Sequence, residues 1–210
     1  MKCVSGLYAI TPETRDTTVL SQKVSRAITG GARLVQYRAK TGDTILRRRQ
    51  AEELLGLCRG ARIPFIVNDD LELALAIGAD GLHIGRDDGD LAVARAKLSK
   101  DKLLGVSCYA ELGLAANAVK CGADYLAFGS AFPSSTKPGT TRASVRLYRE
   151  ARKRFSLPIV AIGGVTPDNA TPLLEAGVDA LAAIGALFDV PDVEAAARKF
   201  TRLFGQGRRP

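Results

Sequence analysis

The stretch Leu34–Lys40 carries three residues whose types and spacing could bind an anion. It begins as an apolar strand and then places Gln36, Arg38 and Lys40 at every second position. Successive side chains of a strand point to opposite faces, so these three share one face. Because Lys and Arg are rarely buried without a partner, a cationic stripe on a buried strand predicts a bound anion. The alternative is that the strand ends early and that Arg38 and Lys40 are solvated loop residues.

Two carboxylates, Asp69 and Asp88, follow the next two apolar segments of the chain. Mg²⁺ takes hard oxygen ligands, commonly one or two carboxylates together with substrate phosphates. The pair therefore predicts a site for one Mg²⁺ ion. The alternative is that these aspartates only cap the helices that follow.

Glycines and hydroxyl groups in three later segments predict further anion sites. Gly163-Gly164 precedes a helix start, and Gly185 stands in the matching place after the last strand. A glycine turn lets the backbone approach a phosphate, and the N–H groups of a helix N-terminus favour an anion. The segment Ser134–Lys137 offers three hydroxyls and one ammonium in four residues, a second candidate cradle. A flexible hydrophilic loop is the alternative for that segment.

No activated nucleophile or strong base is evident beside these groups. Ser107 has no histidine beside it in the sequence, and Cys108 is as easily a small buried side chain. His83 could equally be a core residue whose hydrogen bonds are satisfied. Anion sites and paired carboxylates without a nucleophile indicate a reaction that depends on the departure of a good leaving group rather than on attack by a protein side chain. Mg²⁺, Arg and Lys would stabilise the charge that develops on a departing pyrophosphate.

Short apolar segments alternate with helical ones along the whole chain, which is the pattern of repeated βα units. Several helices end in a glycine that is followed at once by the next strand. The predicted strands are Leu7–Ile10, Leu34–Arg38, Phe65–Asn68, Gly81–Gly85, Leu103–Cys108, Tyr125–Gly129, Ile159–Gly163 and Ala180–Ile184. The predicted helices are Thr17–Thr29, Thr44–Arg59, Leu71–Ile77, Leu91–Leu98, Glu111–Lys120, Arg142–Phe155, Pro167–Glu175 and Val193–Phe204.

Eight βα units in 210 residues predict the α/β class and a (β/α)₈ TIM barrel. We expect residues 1–210 to form a single domain with a flexible tail at 205–210. The rival is a doubly wound open sheet, which would place a G-x-G-x-x-G turn after an early strand, and the sequence has none. In a barrel the chemistry lies at the carboxyl ends of the strands, where the candidate residues fall.

The composition narrows the classes of partner. A net charge of +8 suits phosphorylated small molecules, nucleic acid or an anionic membrane. The basic residues are dispersed and no Trp offers a stacking platform, so we expect no nucleic-acid partner. Four cysteines without a C-x-x-C pair suit a reducing cytoplasm. The absence of a signal-like segment and of about 18 consecutive apolar residues predicts a cytoplasmic protein without a membrane partner. The sequence leaves open whether the protein forms a homo-oligomer.

Taken together and in order, six short motifs between residues 7 and 188 closely resemble the thiamine phosphate synthase family. Each motif is short, but the ordered set is highly specific. They are Gln36-Tyr37-Arg38-Ala39-Lys40, Val67-Asn68-Asp69-Asp70, Gly81-Leu82-His83-Ile84-Gly85-Arg86-Asp87-Asp88, Gly105-Val106-Ser107, Pro133-Ser134-Ser135-Thr136-Lys137 and Ala161-Ile162-Gly163-Gly164-Val165.

The resemblance implies a transferase that joins 4-amino-5-hydroxymethyl-2-methylpyrimidine pyrophosphate to hydroxyethylthiazole phosphate or its carboxylated form. The products are thiamine phosphate and pyrophosphate, and one Mg²⁺ per subunit assists. It implies a dissociative mechanism, in which pyrophosphate leaves before the thiazole nitrogen captures the pyrimidine methyl cation.

The resemblance also assigns roles by motif. It implies a pyrimidine pyrophosphate site at Gln36, Tyr37, Arg38, Ala39, Lys40, Asn68, Ser107 and Lys137, of which Arg38, Ser107 and Lys137 are catalytic. It implies a thiazole phosphate site at Ser134, Ser135, Thr136, Gly164, Ile184 and Gly185, and metal ligands at Asp69 and Asp88. Two positions depart from the family pattern: Arg86 stands where Gln is usual and Gly185 where Ser is frequent.

Two other functions compete with this interpretation. A thiazole tautomerase of the related regulator-like family would need one phosphate site and an acid/base group, but no pyrophosphate and Mg²⁺ set. A non-catalytic anion-binding regulator would bind nucleic acid in a salt-sensitive way and would show no turnover. The combination of the six residues of the pyrophosphate and Mg²⁺ set argues against the tautomerase, namely Arg38, Lys40, Asn68, Asp69, Asp88 and Lys137.

Overall fold

The computed structural model describes residues 4–86, 88–133 and 142–205. Within these ranges the apolar segments form parallel strands that close into a barrel, each strand pairing with its neighbours in sequence. The strands are β1 (Gly6–Ile10), β2 (Ala32–Tyr37), β3 (Phe65–Asn68), β4 (Gly81–Ile84), β5 (Leu103–Tyr109), β6 (Tyr125–Phe128), β7 (Ile159–Ala161) and β8 (Ala180–Ala183). The predicted (β/α)₈ barrel is confirmed, and its closure leaves no strand edge unpaired.

Capping residues define where most of the longer helices begin. The side chains of Asp16, Asp43, Asp70, Asp90 and Ser144 each accept a hydrogen bond from a backbone N–H in the first turn. The helices are α1 (Thr17–Thr29), α2 (Thr44–Ala61), α3 (Leu71–Ile77), α4 (Leu91–Lys97), α5 (Leu112–Lys120), α6 (Val145–Arg154), α7 (Thr171–Glu175), α8 (Gly185–Phe188) and α9 (Val193–Gly205). None of the helices in the described ranges is long and apolar enough to cross a membrane.

The strands are buried on both faces, which explains their almost continuous apolar sequences. One face packs against the helices in a large cluster that includes Val35, Phe65 and Leu104. The other face fills the barrel with a smaller cluster that includes Leu34 and Ile66. Packing of this cluster fills the barrel interior between its two ends.

The repeated glycine-x-aspartate segments hold the opposite, amino-terminal end of the barrel together. The carboxylates of Asp80, Asp124 and Asp179 each accept a hydrogen bond from the backbone N–H of a neighbouring strand's first residues, at 2.7–3.0 Å. Arg95 pairs with Asp124 at 3.0 Å, and Arg152 pairs with Asp179 at 2.9 Å. These segments therefore contribute to stability at the end away from the cavity.

Many element boundaries differ from the prediction by one to four residues, and three differences bear on the site. Strand β2 ends at Tyr37 rather than Arg38, because the chain then turns towards the Asp43 cap of α2. Helix α7 begins at Thr171 rather than Pro167, after a turn that Asn169 holds. The short helix α8 was not predicted, since four residues are too few to show a helical period. Apart from Gly205, which ends α9, the predicted tail lies outside the described residues.

Candidate active site

A cavity of about 500 Å³ opens at the carboxyl ends of the strands. Every strand, or the residue just after it, contributes to the lining, through Ile10, Gln36, Asn68, His83, Ser107, Ala127, Ile162 and Ala182. Most of the remaining lining comes from the loops that follow β5 to β8. A volume of this size accommodates small organic ligands.

Gln36 and Arg38 reach this cavity from β2 and the loop behind it. Gln36 is almost fully buried, and its Nε2 donates to the Tyr8 hydroxyl at 2.9 Å. The backbone of Arg38 is fixed by Thr11, whose hydroxyl accepts from the Arg38 N–H at 2.9 Å and donates to its carbonyl at 3.3 Å. Arg38 therefore lines the cavity from a well-held backbone.

The other three residues of the second-strand motif do not line the cavity. The Tyr37 hydroxyl donates to Gln50 of α2 at 2.9 Å, and burial raises the pKa of Tyr37 to about 12. Ala39 packs against the large hydrophobic cluster between the strands and the helices, and Lys40 is exposed. The alternation from Gln36 holds as far as Arg38 and fails at Lys40, because the strand has already ended. The assignment of Tyr37, Ala39 and Lys40 to substrate binding stays a prediction.

The carboxylates of Asp69 and Asp88 approach each other at the rim beside Asn68. Desolvation, followed by the hydrogen bond and charge of Asp88, raises the pKa of Asp69 to about 6. The side-chain amide of Asn68 donates to Asp69, and Asp88 accepts from the Gly85 N–H at 2.8 Å. The alternative that these aspartates are helix caps is wrong, because Asp70 and Asp90 occupy the cap positions.

This carboxylate pair fits a hard divalent cation. No third His, Cys, Asp or Glu side chain joins the pair within the described ranges, so a cation held there would take its remaining oxygens from substrate and water. Two carboxylates at this separation repel each other when both are ionised, and a cation offsets that repulsion. The metal assignment itself stays a prediction.

Glycine turns form the opposite wall of the cavity. Gly163 and Gly164 have positive φ angles of 94° and 63°, and a β-carbon at Gly164 would overlap the Pro133 carbonyl. Asn169 holds this turn, because its side chain donates to the Gly164 carbonyl and accepts from the Thr166 N–H, both at 2.9 Å. Ile184 and Gly185 line the same wall at the start of α8.

Several lining residues were missed by the sequence argument. Asp189 follows α8, and its carboxylate would lie 2.9 Å from a β-carbon at Gly185. Ser130 lines the cavity after β6 and donates to the Phe132 carbonyl at 2.6 Å. Tyr109 ends β5, and the guanidinium of Arg86 lies 5.2 Å from its ring centre. None of these belongs to a chemical motif, although their places at strand ends could have identified them.

The predicted residues Ser134, Ser135, Thr136 and Lys137 lie outside the described residues, as does Asp87 of the fourth-strand motif. Their roles stay predictions. The structure therefore brings together Gln36, Arg38, Asn68, Ser107, Gly164, Ile184 and Gly185 in one cavity, with Asp69 and Asp88 at its rim.

Comparison with known proteins agrees with this geometry. The family model described as thiamine monophosphate synthase matches residues 7–187. The chain is 53% identical over 199 residues to the thiamine-phosphate synthase of Thiobacillus denitrificans, covering 95% of this chain and 94% of that protein. It is 52% identical to the thiamine-phosphate synthase of Methylobacillus flagellatus over 201 residues, which is 96% of each chain.

The fold agrees as well. The solved structure of thiamine phosphate pyrophosphorylase from Pyrococcus furiosus superimposes with a TM-score of 0.86 at 32% identity, covering 96% of each chain. Fold, cavity and comparisons define a barrel enzyme with a cavity at the carboxyl ends of its strands. The chain belongs to the thiamine monophosphate synthase family.

Proposed function

We propose that the protein condenses 4-amino-5-hydroxymethyl-2-methylpyrimidine pyrophosphate with hydroxyethylthiazole phosphate, or its carboxylated form, to give thiamine phosphate and pyrophosphate. The observation that carries this proposal is the cavity itself, because it has two different walls. One wall presents Gln36, Arg38, Asn68 and Ser107 beside the carboxylate pair, and the other presents glycine turns. A pocket of this kind suits two anionic substrates held face to face.

The first wall suits the pyrimidine pyrophosphate. Gln36, which is buried, and Ser107 offer hydrogen bonds to a flat heterocycle, while Arg38 and Asn68 would lie nearer the rim, where a pyrophosphate would extend. Lys40 and Lys137 would add positive charge to that pyrophosphate, and the backbone at Tyr37 and Ala39 would shape its surroundings. Arg38, Ser107 and Lys137 are the residues we propose as catalytic, through contact with the reacting pyrimidine and its leaving group.

The second wall suits the thiazole phosphate. At Gly164 and Gly185 the absence of a side chain lets backbone N–H groups approach the phosphate, and Ile184 offers an apolar contact. Ser134, Ser135 and Thr136 would add hydroxyl donors from the loop after β6. This arrangement would place the thiazole nitrogen towards the pyrimidine on the facing wall, so that the two reacting atoms are held together.

Asp69 and Asp88 would hold one Mg²⁺ against the pyrophosphate oxygens. The bound ion would neutralise charge on the departing pyrophosphate. Arg38 and Lys137 would stabilise the same charge, and His83 and Ser107 would keep the pyrimidine ring in place. No side chain acts as a nucleophile in this proposal, in keeping with a dissociative reaction.

The test is an assay with purified protein, Mg²⁺ and the pyrimidine pyrophosphate, with and without the thiazole phosphate. Pyrophosphate release and thiamine phosphate are followed together by mass spectrometry. Turnover that needs both substrates and the metal supports the proposal. Isomerisation of a thiazole phosphate without any condensation would instead support the tautomerase. The absence of both activities would refute both functions.

A further inference from the structure

A chain of four hydrogen bonds crosses the interior of the barrel and joins two parts of the cavity wall. Gln36 Nε2 donates to Tyr8 Oη at 2.9 Å, and the hydroxyls of Tyr8 and Tyr125 are 2.8 Å apart. The Tyr125 hydroxyl lies 3.0 Å from His83 Nδ1, and His83 Nε2 lies 2.9 Å from Ser107 Oγ. We call Tyr8, Tyr125 and His83 the relay. Its two ends, Gln36 and Ser107, line the cavity.

The packing around the relay holds its rings in place. The His83 and Tyr125 rings stack with centres 5.6 Å apart, and the Tyr8 ring meets Tyr125 edge-on at 6.0 Å. A β-carbon at position 105 would overlap the Tyr125 ring, so Gly105 is the residue that makes room for it. Tyr8 and Tyr125 are fully buried. The relay is therefore a built feature of the barrel interior.

The first link fixes the direction of all the others. The Tyr8 hydroxyl accepts a hydrogen bond from Gln36, so it must donate its own proton in a hydrogen bond to Tyr125. Tyr125 is the other partner of that hydroxyl among the described residues. Tyr125 in turn donates to His83 Nδ1, which must be an acceptor. The proton of the imidazole then lies on Nε2 and is donated to Ser107 Oγ.

A neutral His83 is consistent with this direction. A doubly protonated ring would leave the Tyr125 proton without an acceptor, and buried polar groups without partners are rare. The hydrogen-bond geometry therefore selects one tautomer.

We propose that Tyr8, Tyr125 and His83 are positioning residues that fix the hydrogen-bonding polarity of the pyrimidine wall. Because one N–H of Gln36 Nε2 is donated to Tyr8, the orientation of the amide is fixed and Oε1 is left to accept a hydrogen bond from a ligand in the cavity. Because Ser107 Oγ accepts from His83, its hydroxyl proton points to the cavity as a donor. The wall selects a flat heterocycle with a donor on the Gln36 side and an acceptor on the Ser107 side.

The proposed pyrimidine matches that polarity, since its amino group is a donor and its ring nitrogens are acceptors. In this respect the inference rests on the proposed function. Without the relay, the Gln36 amide could rotate to present its N–H groups and the Ser107 hydroxyl could turn away. The relay therefore makes the two ends present complementary groups before the substrate arrives, which lowers the cost of binding.

The first test uses the fact that His83 is the only histidine of the chain. In the tag-free, ¹⁵N-labelled full-length protein, a long-range ¹H–¹⁵N correlation spectrum shows a single imidazole and identifies its tautomer. We expect a neutral ring with the proton on Nε2 at pH 7. A proton on Nδ1, or on both nitrogens, would overturn the proposal.

The second test separates positioning from stability. Tyr8→Phe and Tyr125→Phe should each raise the Kd of the pyrimidine pyrophosphate, measured with Mg²⁺, by about tenfold. The Kd of the thiazole phosphate should change by less than about twofold, because none of the relay's hydrogen bonds reaches the glycine turns of the other wall. The matched control is Tyr148→Phe, which removes an equally buried hydroxyl that donates to the Phe128 carbonyl at 2.8 Å outside the relay.

Unchanged pyrimidine binding in folded Tyr8→Phe and Tyr125→Phe proteins would contradict the proposal. An equal rise in the Kd of both ligands in these two variants and in Tyr148→Phe would also contradict it, because it would indicate a general effect on the fold. The spectrum is recorded on the free protein, so it judges the relay independently of any turnover. A failed condensation assay with the expected tautomer would reject the proposed function and leave the relay intact.

Discussion

At the scale of single residues, the chemistry depends on which groups carry charge. Asp69 and Asp88 act as a pair because desolvation and the neighbouring carboxylate both raise the pKa of Asp69. His83 lies on the adjacent strand, and burial keeps it neutral. Opposite shifts of this kind are typical of functional sites, and each leads to a prediction.

Replacing both carboxylates of the pair should abolish turnover without unfolding the protein. We expect Asp69→Asn/Asp88→Asn to lower kcat at least about a hundredfold, because a bound cation would no longer stabilise the charge on the departing pyrophosphate. The thermal midpoint in metal-free buffer should equal or exceed that of the wild type, since like-charge repulsion is removed. Asp90→Asn is the control, because Asn also caps a helix and α4 should be unaffected. A double variant with normal kcat would contradict the metal assignment.

His83 should make the folded protein less stable in acid. Its pKa is about 4 in the folded protein and about 6.5 when unfolded, so the unfolded chain binds the proton first as the pH falls. The free energy of unfolding should therefore decrease from pH 6.5 towards pH 4, by about 3 kcal/mol from this residue.

The measurement is urea unfolding of the wild type and His83→Gln at several pH values in metal-free buffer. Asp69 contributes in the opposite sense, because its raised pKa makes the folded protein bind a proton first as the pH falls through 6. Only the difference in the free energy of unfolding between the wild type and His83→Gln isolates the contribution of His83. A difference that is constant across pH 4–6.5 would show that His83 is not held neutral.

At the scale of elements, the turn between β7 and α7 is the part of the site that tolerates a side chain least. Gly164 combines a positive φ of 63° with contact to the Pro133 and Phe132 backbones. The turn stays closed because Asn169 bonds to both of its ends. A phosphate held here would depend on backbone position rather than on any one side chain.

Gly164→Ala should raise KM for the thiazole phosphate about tenfold or more and lower the thermal midpoint. The Kd of the pyrimidine pyrophosphate should stay within about twofold, because that wall is formed by β2 to β5. The control is Gly56→Ala in the exposed face of α2, where an added β-carbon meets nothing within 4 Å. It should raise stability by about 0.5–1 kcal/mol and leave both substrates unaffected. Unchanged thiazole KM in Gly164→Ala would remove this turn from the phosphate site.

At the scale of the whole molecule, the barrel separates stability from activity. The cavity lies at the carboxyl ends of the strands, whereas the aspartate–arginine pairs lie at the amino ends. The interior cluster between the two ends keeps the barrel closed. Substitutions at the amino end should therefore change the free energy of unfolding and not the chemistry.

Asp179→Ala tests this separation. It removes the partner of Arg152 and of the Ile159 N–H, so we expect a loss of about 2–4 kcal/mol in the free energy of unfolding. Below the new thermal midpoint, kcat and both KM values should stay within about twofold of the wild type. Glu194→Ala breaks only a surface pair within α9 and should cost less than about 0.5 kcal/mol. A fall in kcat as large as the fall in stability would show that the two ends are coupled.

The sequence by itself determined the barrel and the end of it at which several candidate residues meet. The apolar segments, the helix caps and the glycine stops predicted every strand of the closed barrel, because each is a local signal with a fixed period or position. The rule that chemistry lies at the carboxyl ends then brought Gln36, Arg38, Asn68 and Ser107 to one cavity. It also brought Asp69 and Asp88 together from neighbouring strands.

Only the tertiary structure decided the groups that meet across the barrel. Tyr8 and Tyr125 are 117 residues apart in the chain, and nothing in their local sequence shows that their hydroxyls are 2.8 Å apart. Lys40 was placed wrongly on the strand face because the end of β2 depends on the turn towards α2. Whether Asp69 caps α3 also depended on the structure, in which the helix uses Asp70 as its cap. Such contacts follow from barrel closure, which joins distant strands in a way that sequence spacing does not record.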